Sequence, residues 1–478
     1  MTDTSKASAA ASVGEAALQE FRGQLRGDLV VPGDSAYDAA RSVWNGMIDK
    51  RPAAIARCKG VADVLAAVRF ARAHDLLTAV RGGGHNVAGF GTCDGGLVID
   101  LSALKGARVD PLARTARAQP GLTWGEFDRE TQAFGLATTG GLVTTTGIAG
   151  FTLGGGIGWL MRKHGLTIDN LVSADMVTAD GRLVTASAGS HPDLFWGLRG
   201  GGGNFGIVTS FEYRVHPVGP VVLGGAVLHP AEKARDLLRF YNRWIATLPD
   251  EMTSMVAFIT APPLPFIPQP LHGTPMVAVA VCYAGAVADG ERVVQPLTSF
   301  GPPAVVHIGP VPYTVLQGMF DASAPYGIHS YWKTHYVPDL SDAAIDALIA
   351  QTARMRALSP FTTLHLHHLE GAVSRVDPEA TAFRHRAPRY AMNIVGLWTA
   401  EEQPDAHIAW VRQTYEAMQP FSTGAPYLNF LGDEGVDRVR AAYGSVTYDR
   451  LVELKNRYDP TNFFRVNQNI RPAAGAGV

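Results

Sequence analysis

Three glycine-dense runs carry the residue types most able to do chemistry. The first is Arg81-Gly82-Gly83-Gly84-His85-Asn86-Val87-Ala88-Gly89. Glycines let a backbone come close to a ligand, and amides oriented by such a loop can cradle phosphate oxygens. The histidine that follows them is then held beside whatever the loop binds. The second run is Thr144-Thr145-Thr146-Gly147-Ile148-Ala149-Gly150 followed by Gly154-Gly155-Gly156-Ile157-Gly158, and the third is Arg199-Gly200-Gly201-Gly202-Gly203-Asn204-Phe205-Gly206. In close succession they suggest one large phosphate-bearing cofactor held by loops. A dinucleotide-binding Gly-x-Gly-x-x-Gly turn is the competing reading of Gly154 to Gly158. Trp159 at the third glycine position counts against it.

Further along, Glu370 lies in His367-His368-Leu369-Glu370-Gly371, on a stretch that reads as an apolar strand. A carboxylate in such a setting could have a raised pKa and act as a catalytic base. Tyr331, Trp332, His335 and Tyr390 are candidates for an aromatic pocket. Strand alternation puts His365 and His367 on one face, but no third ligand accompanies them, so no metal site is expected. The three cysteines, Cys58, Cys93 and Cys282, have neither metal nor disulfide-framework spacing.

The elements around these residues follow from periodicity and turn chemistry. Val61 to His74 has helical spacing, and Leu76 to Arg81 and Leu97 to Leu101 read as strands on either side of the histidine loop. Ala113 to Gln119 alternates as a strand, and Thr123 with Glu126 forms a capping box for a helix from Trp124 to Phe134. Val172 to Thr178 and Arg182 to Ala186 predict a hairpin turning at Asp180-Gly181. Ile207 to Val215 is a long strand, and Pro217 and Pro220 mark a boundary after it. Beyond it, strands such as Met276 to Tyr283 alternate with helices such as Ser341 to Leu358. The tail carries a helix ending at Tyr458, then Asp459-Pro460 and Asn467-Gln468-Asn469.

At 478 residues the chain is too long for one ordinary core. A formal net charge of -2 gives no reason to expect nucleic acid as a partner, and no apolar run reaches transmembrane length. The Ala- and Ser-rich start carries no signal-peptide pattern and reads as a flexible lead-in. A cytoplasmic protein, monomeric or homodimeric, is the expectation.

The ordered set of motifs resembles the FAD-linked oxidases of the vanillyl-alcohol oxidase superfamily, in the berberine-bridge-enzyme-like branch. It comprises the histidine loop, Gly140-Gly141 with Thr146-Gly147, Gly154 to Gly158, Asp169-Asn170, Val177 to Gly181, Asp193 to Trp196, Arg199 to Gly206, and the terminal Asp459-Pro460 and Asn467 to Asn469. The resemblance implies an α+β fold. Its PCMH-type FAD-binding domain has two α+β subdomains completed by the C-terminal segment. A substrate domain has an antiparallel sheet covered by helices. The corresponding boundaries are a lead-in over 1–45, the FAD-binding domain over 46–218, the substrate domain over 219–435, and the completing segment over 436–478.

By the same resemblance the cofactor is FAD, joined covalently through His85. Arg81, Gly82, Gly83, Gly84, Asn86, Gly89, Thr144, Thr145, Thr146, Gly147, Gly150, Gly154, Gly155, Gly156, Val208, Asn467 and Asn469 would contribute to its site. Val143 stands where bicovalent members carry a second, cysteine link, so a single bond is expected. Cys93 lies outside that motif. Thr146 would sit near the reactive edge of the flavin with Phe151 shaping the same cavity. Ile157 replaces a frequent aromatic residue. The implied catalytic set is Glu370, Thr146 and Tyr331. The leading functional reading is an oxidase that uses a small-molecule substrate (alcohol, amine or activated C–H) and O2. A flavin-dependent monooxygenase or oxidative cyclase, and a non-catalytic flavin-binding protein, are the alternatives.

Overall fold

The computed structural model describes residues 13–473. The expected lead-in before residue 13 lies outside the described residues. The rest of that segment is not a lead-in at all. Glu15–Gln24 is a helix whose Phe21 is buried and stacks on Phe70 at 4.0 Å between ring centroids. Asp28–Val30 pairs antiparallel with Ala54–Arg57. The tether is a buried carboxylate. Asp63, in the first turn of helix Val61–Ala73, accepts the backbone N–H groups of Arg26, Gly27 and Lys59 at 2.8–3.1 Å. Local composition does not reveal a contact spanning 36 residues.

The first sheet has the order Asp28–Val30, Ala54–Arg57, Leu97–Asp100, Thr78–Arg81, and its last three strands are parallel. Helix Val61–Ala73 makes the crossover and buries Val64, Ala67, Val68 and Ala71. Its apolar stripe is the i, i+3, i+4, i+7 pattern of an amphipathic helix. The histidine loop leaves the carboxyl end of this parallel sheet, a usual place for a ligand. A second, antiparallel sheet runs Ala107–Asp110, Thr115–Ala118, Gly206–Arg214, Leu171–Thr178, Leu183–Ser187. The last two strands form the expected hairpin. Helix Trp124–Gln132 starts at Thr123 with both capping-box bonds present. Helices Pro192–Leu198 and Ser445–Tyr458 share a core with this sheet, so the chain returns to its first half after residue 436.

The middle of the chain forms a seven-stranded antiparallel sheet. Its order is Val305–Pro312, Val221–Pro230, Pro275–Tyr283, Met252–Thr260, Thr363–His368, Tyr390–Trp398, His329–Val337. One face buries Val256, Val279, Leu364, Leu366, Met392 and Ile394 against helices Ala234–Trp244, Asp342–Thr352 and Pro404–Met418. The other face carries smaller residues such as Ala257, Ala278 and Ala280, which pack on Trp159, Leu160, Tyr313 and Leu316. Period-two alternation makes this division: Leu364 and Leu366 face the helices, and Thr363, His365 and His367 face the other way. Among the described residues no helix is long and apolar enough to cross a membrane.

Candidate active site

A cleft of about 380 Å³ lies between the glycine loops and the open face of the seven-stranded sheet. All three glycine runs and the tail reach it. Arg81 to Asn86 line it from the first run, Thr146, Gly147, Gly150 and Gly154 from the second, Gly202, Gly203 and Gly206 from the third, and Val208 from the strand that follows. Phe464, Val466, Asn467 and Gln468 come from the tail. The sheet contributes Met255, Trp332, Thr363, His365, His367, Asn393, Val395 and Leu397, and Tyr427 to Phe430 close one side.

The loops are locked together by contacts between backbones. A Cβ built on Gly83 would stand 2.5 Å from Gly147 Cα, and one on Gly147 would stand 2.4 Å from Gly83 N. Only two glycines allow that approach. Arg81 fixes the start of the first loop: its Nη2 donates to Asp100 Oδ2 at 2.8 Å, and Nη1 donates to the Ser42 carbonyl. Arg81 and Asp100 are register partners on adjacent parallel strands, so the buried pair sits at the sheet end. The third run and the tail meet at a second buried pair. Lys455 Nζ donates to Asp459 Oδ2 at 2.7 Å and also to the carbonyls of Asn204 and Phe464. Asp459 in turn accepts the amides of Phe463 and Phe464. Asn467 Nδ2 donates to the Gly203 and Phe464 carbonyls, while its buried Oδ1 has no partner among the described residues.

His85 stands over Trp44, with ring centroids 5.2 Å apart and nearly parallel. Thr145 Oγ1 lies 2.9 Å from Nε2, and Thr146 Oγ1 lies 3.5 Å from Nδ1. Desolvation by the surrounding walls pushes its pKa down to about 4. A neutral imidazole keeps one ring nitrogen unprotonated, which is the form able to bond to carbon. No cysteine lines the cleft. Cys58, Cys93 and Cys282 are buried and free, and the Cys93 thiol, raised to about 11 by burial, faces the Leu77 and Leu97 carbonyls. Val143 does line the cleft, with an alkyl side chain.

Several expected site residues lie elsewhere. Glu370 does not line the cleft, and its carboxyl is not raised. Burial pushes it up, but His368 Nε2 at 2.6 Å and Arg389 Nε at 3.1 Å outweigh this and hold it at about 2. Arg162 adds a second cationic group at 3.8 Å. Glu370 is an ion-pair anchor, not a base. Tyr331 is one residue out of phase with Trp332, so it faces the helices, where its hydroxyl accepts a hydrogen bond from Arg412. His335 stacks on Tyr415, and the Tyr390 hydroxyl donates to Asn242. Neither of these two enters the cleft.

In the second run, Thr144 caps Asp321 through its amide and hydroxyl, and Thr145 touches His85 without lining the cleft. Gly155 and Gly156 have φ of +126° and +86° and pack on Phe383 and Thr167, so they serve a turn. Gly89 packs on Ile48, and Asn469 lies off the cleft with its buried Oδ1 unpartnered among the described residues.

Trp44, Asn393 and Tyr427 also line the cleft, outside the motifs that the sequence displays. Asn393 had a signal: it is the lone amide in the otherwise apolar strand Tyr390–Trp398. It is the cross-strand partner of His365, and its Oδ1 has no partner among the described residues. The Tyr427 hydroxyl accepts from Gly156 N and Asn429 Nδ2, each at 3.0 Å, and so ties the second run to the closing loop. His365 and His367 stand 5.8 Å apart between ring centroids, and among the described residues no group of three metal-type ligands forms.

The polar groups fit an extended phosphate-bearing cofactor: close-packed glycine amides able to donate to phosphate, an unpartnered Asn467 Oδ1 able to accept, and a neutral histidine share one cleft. Residues 52–187 match the family described as FAD binding domain, and residues 426–471 match berberine and berberine like. The chain is 31% identical to an FAD-linked oxidoreductase of Dictyostelium discoideum, over 95% of this chain and 97% of the relative. It is 30% identical to (R)-6-hydroxynicotine oxidase of Paenarthrobacter nicotinovorans, over 94% and 97%. Among solved structures, BBE-like 1 of Physcomitrella patens superposes with a TM-score of 0.83 at 26% identity, covering 93% of this chain and 97% of that one. The glycine loops, the returning tail and these relatives agree: the chain belongs to the FAD-linked oxidoreductases of the berberine-bridge-enzyme-like branch of the vanillyl-alcohol oxidase superfamily.

Proposed function

We propose that this protein is an oxidase of a small organic substrate, with FAD attached through His85 alone. One observation carries the reading: the His85 loop and the His365–His367 face of the sheet open on the same cleft. The first can hold a cofactor, and the second can handle a proton across from it. FAD, held by the glycine loops and His85, would supply the two-electron acceptor chemistry, with dioxygen as the final acceptor and hydrogen peroxide as its product. Arg81, paired to Asp100, and the Gly83–Gly147 contact hold the cofactor-side wall rigid. One of His365 and His367, which line the wall facing the glycine loops, receives the proton that the substrate loses with its hydride, the role expected of Glu370 from the sequence, although burial pushes both rings down, to about 4 and about 3. The aromatic side chains around them exclude water from the reacting carbon.

Intact mass of acid-denatured protein tests the attachment. We expect a species heavier by one FAD, with that increment missing in His85→Ala and retained when Cys93 is replaced by Ser. Apo mass in the wild type would overturn the covalent bond. Air reoxidation of substrate-reduced protein without peroxide would overturn the oxidase reading.

A further inference from the structure

We propose that Asp321, from the segment that builds the seven-stranded sheet, is a positioning residue for His85. It clamps Thr144 and so sets the Thr145 and Thr146 hydroxyls against the imidazole in the geometry that lets the ring bond to the flavin. The inference rests on the His85 attachment proposed above. Its ground is a chain of contacts. Asp321 opens the single turn Asp321–Ser323, just after helix Tyr313–Gln317. Its Oδ1 accepts the Thr144 amide at 2.7 Å, and its Oδ2 accepts the Thr144 hydroxyl at 2.5 Å. Hydrogen bonds to a carboxylate are among the stronger ones, and two from one residue fix its orientation. The next two residues then meet the ring: Thr145 Oγ1 lies 2.9 Å from Nε2, and Thr146 Oγ1 lies 3.5 Å from Nδ1. The Thr144 and Thr146 carbonyls accept the Gly125 and Trp124 amides at 2.9 Å, so the backbone has little freedom of its own.

The same stretch of chain holds the face of the ring as well as its edge. Trp44, on which His85 stacks, donates from Nε1 to the Ala324 carbonyl at 3.0 Å, and its carbonyl accepts the Gly327 amide at 2.9 Å. The Tyr326 hydroxyl donates to the Ser42 carbonyl at 2.8 Å. Strand His329–Val337, whose Trp332 lines the cleft, follows directly. Residues 321–328 therefore tie both supports of His85 to the sheet wall across the cleft.

The arrangement suits the bond that has to form. Thr146, at Nδ1, lines the cleft and Thr145, at Nε2, does not, so the ring turns Nδ1 toward the cavity. Joining Nδ1 to the 8α methyl carbon makes one N–C bond and breaks one C–H bond and the N–H bond at Nε2. The two protons and two electrons released pass through the flavin to dioxygen, which becomes hydrogen peroxide. A hydroxyl beside Nε2 accepts its N–H before the bond forms and donates to its bare lone pair afterwards, which an alkyl group cannot do.

The test follows attachment in the full chain. Protein made in riboflavin-limited cells is mixed with FAD in air. The visible spectrum after desalting reads total bound flavin, and the acid-precipitated pellet reads attached flavin. We expect Asp321→Ala to bind FAD but attach it at least about tenfold more slowly, the factor that one hydrogen bond to a charged group carries. Asp321→Asn, whose Oδ1 and Nδ2 can meet the Thr144 amide and hydroxyl, should recover the wild-type rate to within about threefold. Thr145→Val, which removes the hydroxyl at Nε2, should match Asp321→Ala. Attachment at the wild-type rate in Asp321→Ala or Thr145→Val would overturn the proposal. So would parallel loss of total and attached flavin, the mark of a merely structural role. Where Asp321→Ala does not fold, Thr144→Val, which removes a single hydroxyl of the clamp, carries the same comparison. A wild-type chain that binds FAD but never holds it through acid fails the attachment reading instead, and this inference falls with it.

Discussion

Glu370 shows how little a residue's type says about its role. In sequence it is a carboxylate beside apolar residues, the setting that raises a pKa. In the folded chain His368, Arg389 and Arg162 converge on it and hold it ionised at about 2. The consequence is specific. Glu370→Gln should leave kcat/KM within a few-fold of wild type and lower stability by about 1.5–3 kcal/mol, the range for hydrogen bonds to charged groups. Denaturant unfolding and steady-state kinetics on one preparation check it; a thousandfold loss of kcat with unchanged stability would restore it as a base. The stabilisation has a defined pH sense. A carboxyl with a lowered pKa contributes above its ordinary value of 4.5, and the contribution is lost as pH falls toward 2. The loop that carries His85 was legible because its glycines are adjacent in sequence. Asn393 was not, because the atom it leaves unpaired is defined only by strands on either side.

At the scale of elements, the glycine runs do two different jobs that look alike in sequence. Gly83 and Gly147 let two loops touch backbone to backbone, whereas Gly156 completes a turn with φ of +86° against Thr167. Gly83→Ala forces a methyl group to 2.5 Å from Gly147 and should cost about 1–3 kcal/mol through overpacking. Its bound flavin should fall in parallel. Gly23→Ala, in the last turn of helix Glu15–Gln24 where a Cβ meets nothing within 4 Å, should be neutral or slightly stabilising. Thermal midpoints and flavin content of the two variants, side by side, decide this. Equal behaviour would mean that the loop contact does not constrain the site. The helix caps, the Asp180-Gly181 hairpin and the strand alternation were all readable, since each is set by neighbours within a few residues. Alternation correctly put His365 and His367 together. The one-residue offset that sends Tyr331 toward the helices and Trp332 into the cleft required knowing which face the helices cover.

Across the whole molecule, buried neutral imidazoles set the response to acid. Desolvation pushes His85, His216, His335, His365 and His368 down to about 4, and His164 and His367 to about 3. These folded-state values lie below the ordinary 6.5, so the unfolded chain takes up protons first as pH falls. Stability should therefore be fully present above pH 6.5 and decline from there down through pH 4. Asp128 acts in the opposite sense over part of that window. Its burial raises it to about 7 against a hydrogen bond from Gln317, so it favours the folded state as pH falls below that value. One carboxyl opposes a larger set of imidazoles, and the net expectation is a thermal midpoint that drops between pH 6.5 and 4. Calorimetry at constant ionic strength checks it, and a midpoint that stays flat or rises over that range would contradict it.

The sequence alone determined what depends on short-range chemistry. Turn glycines, the Thr123–Glu126 cap, amphipathic spacing and the order of the cofactor motifs are local patterns, and local patterns survive in one dimension. Tertiary structure decided everything that depends on who stands opposite whom. It turned the N-terminal segment into a sheet strand tied to Asp63, locked Glu370 into ion pairs as a carboxylate, and gathered Trp44, Trp332 and Asn393 into one wall. The physical reason is that burial, ion pairing and unmet hydrogen bonds are properties of an environment, and that environment is assembled from residues far apart along the chain.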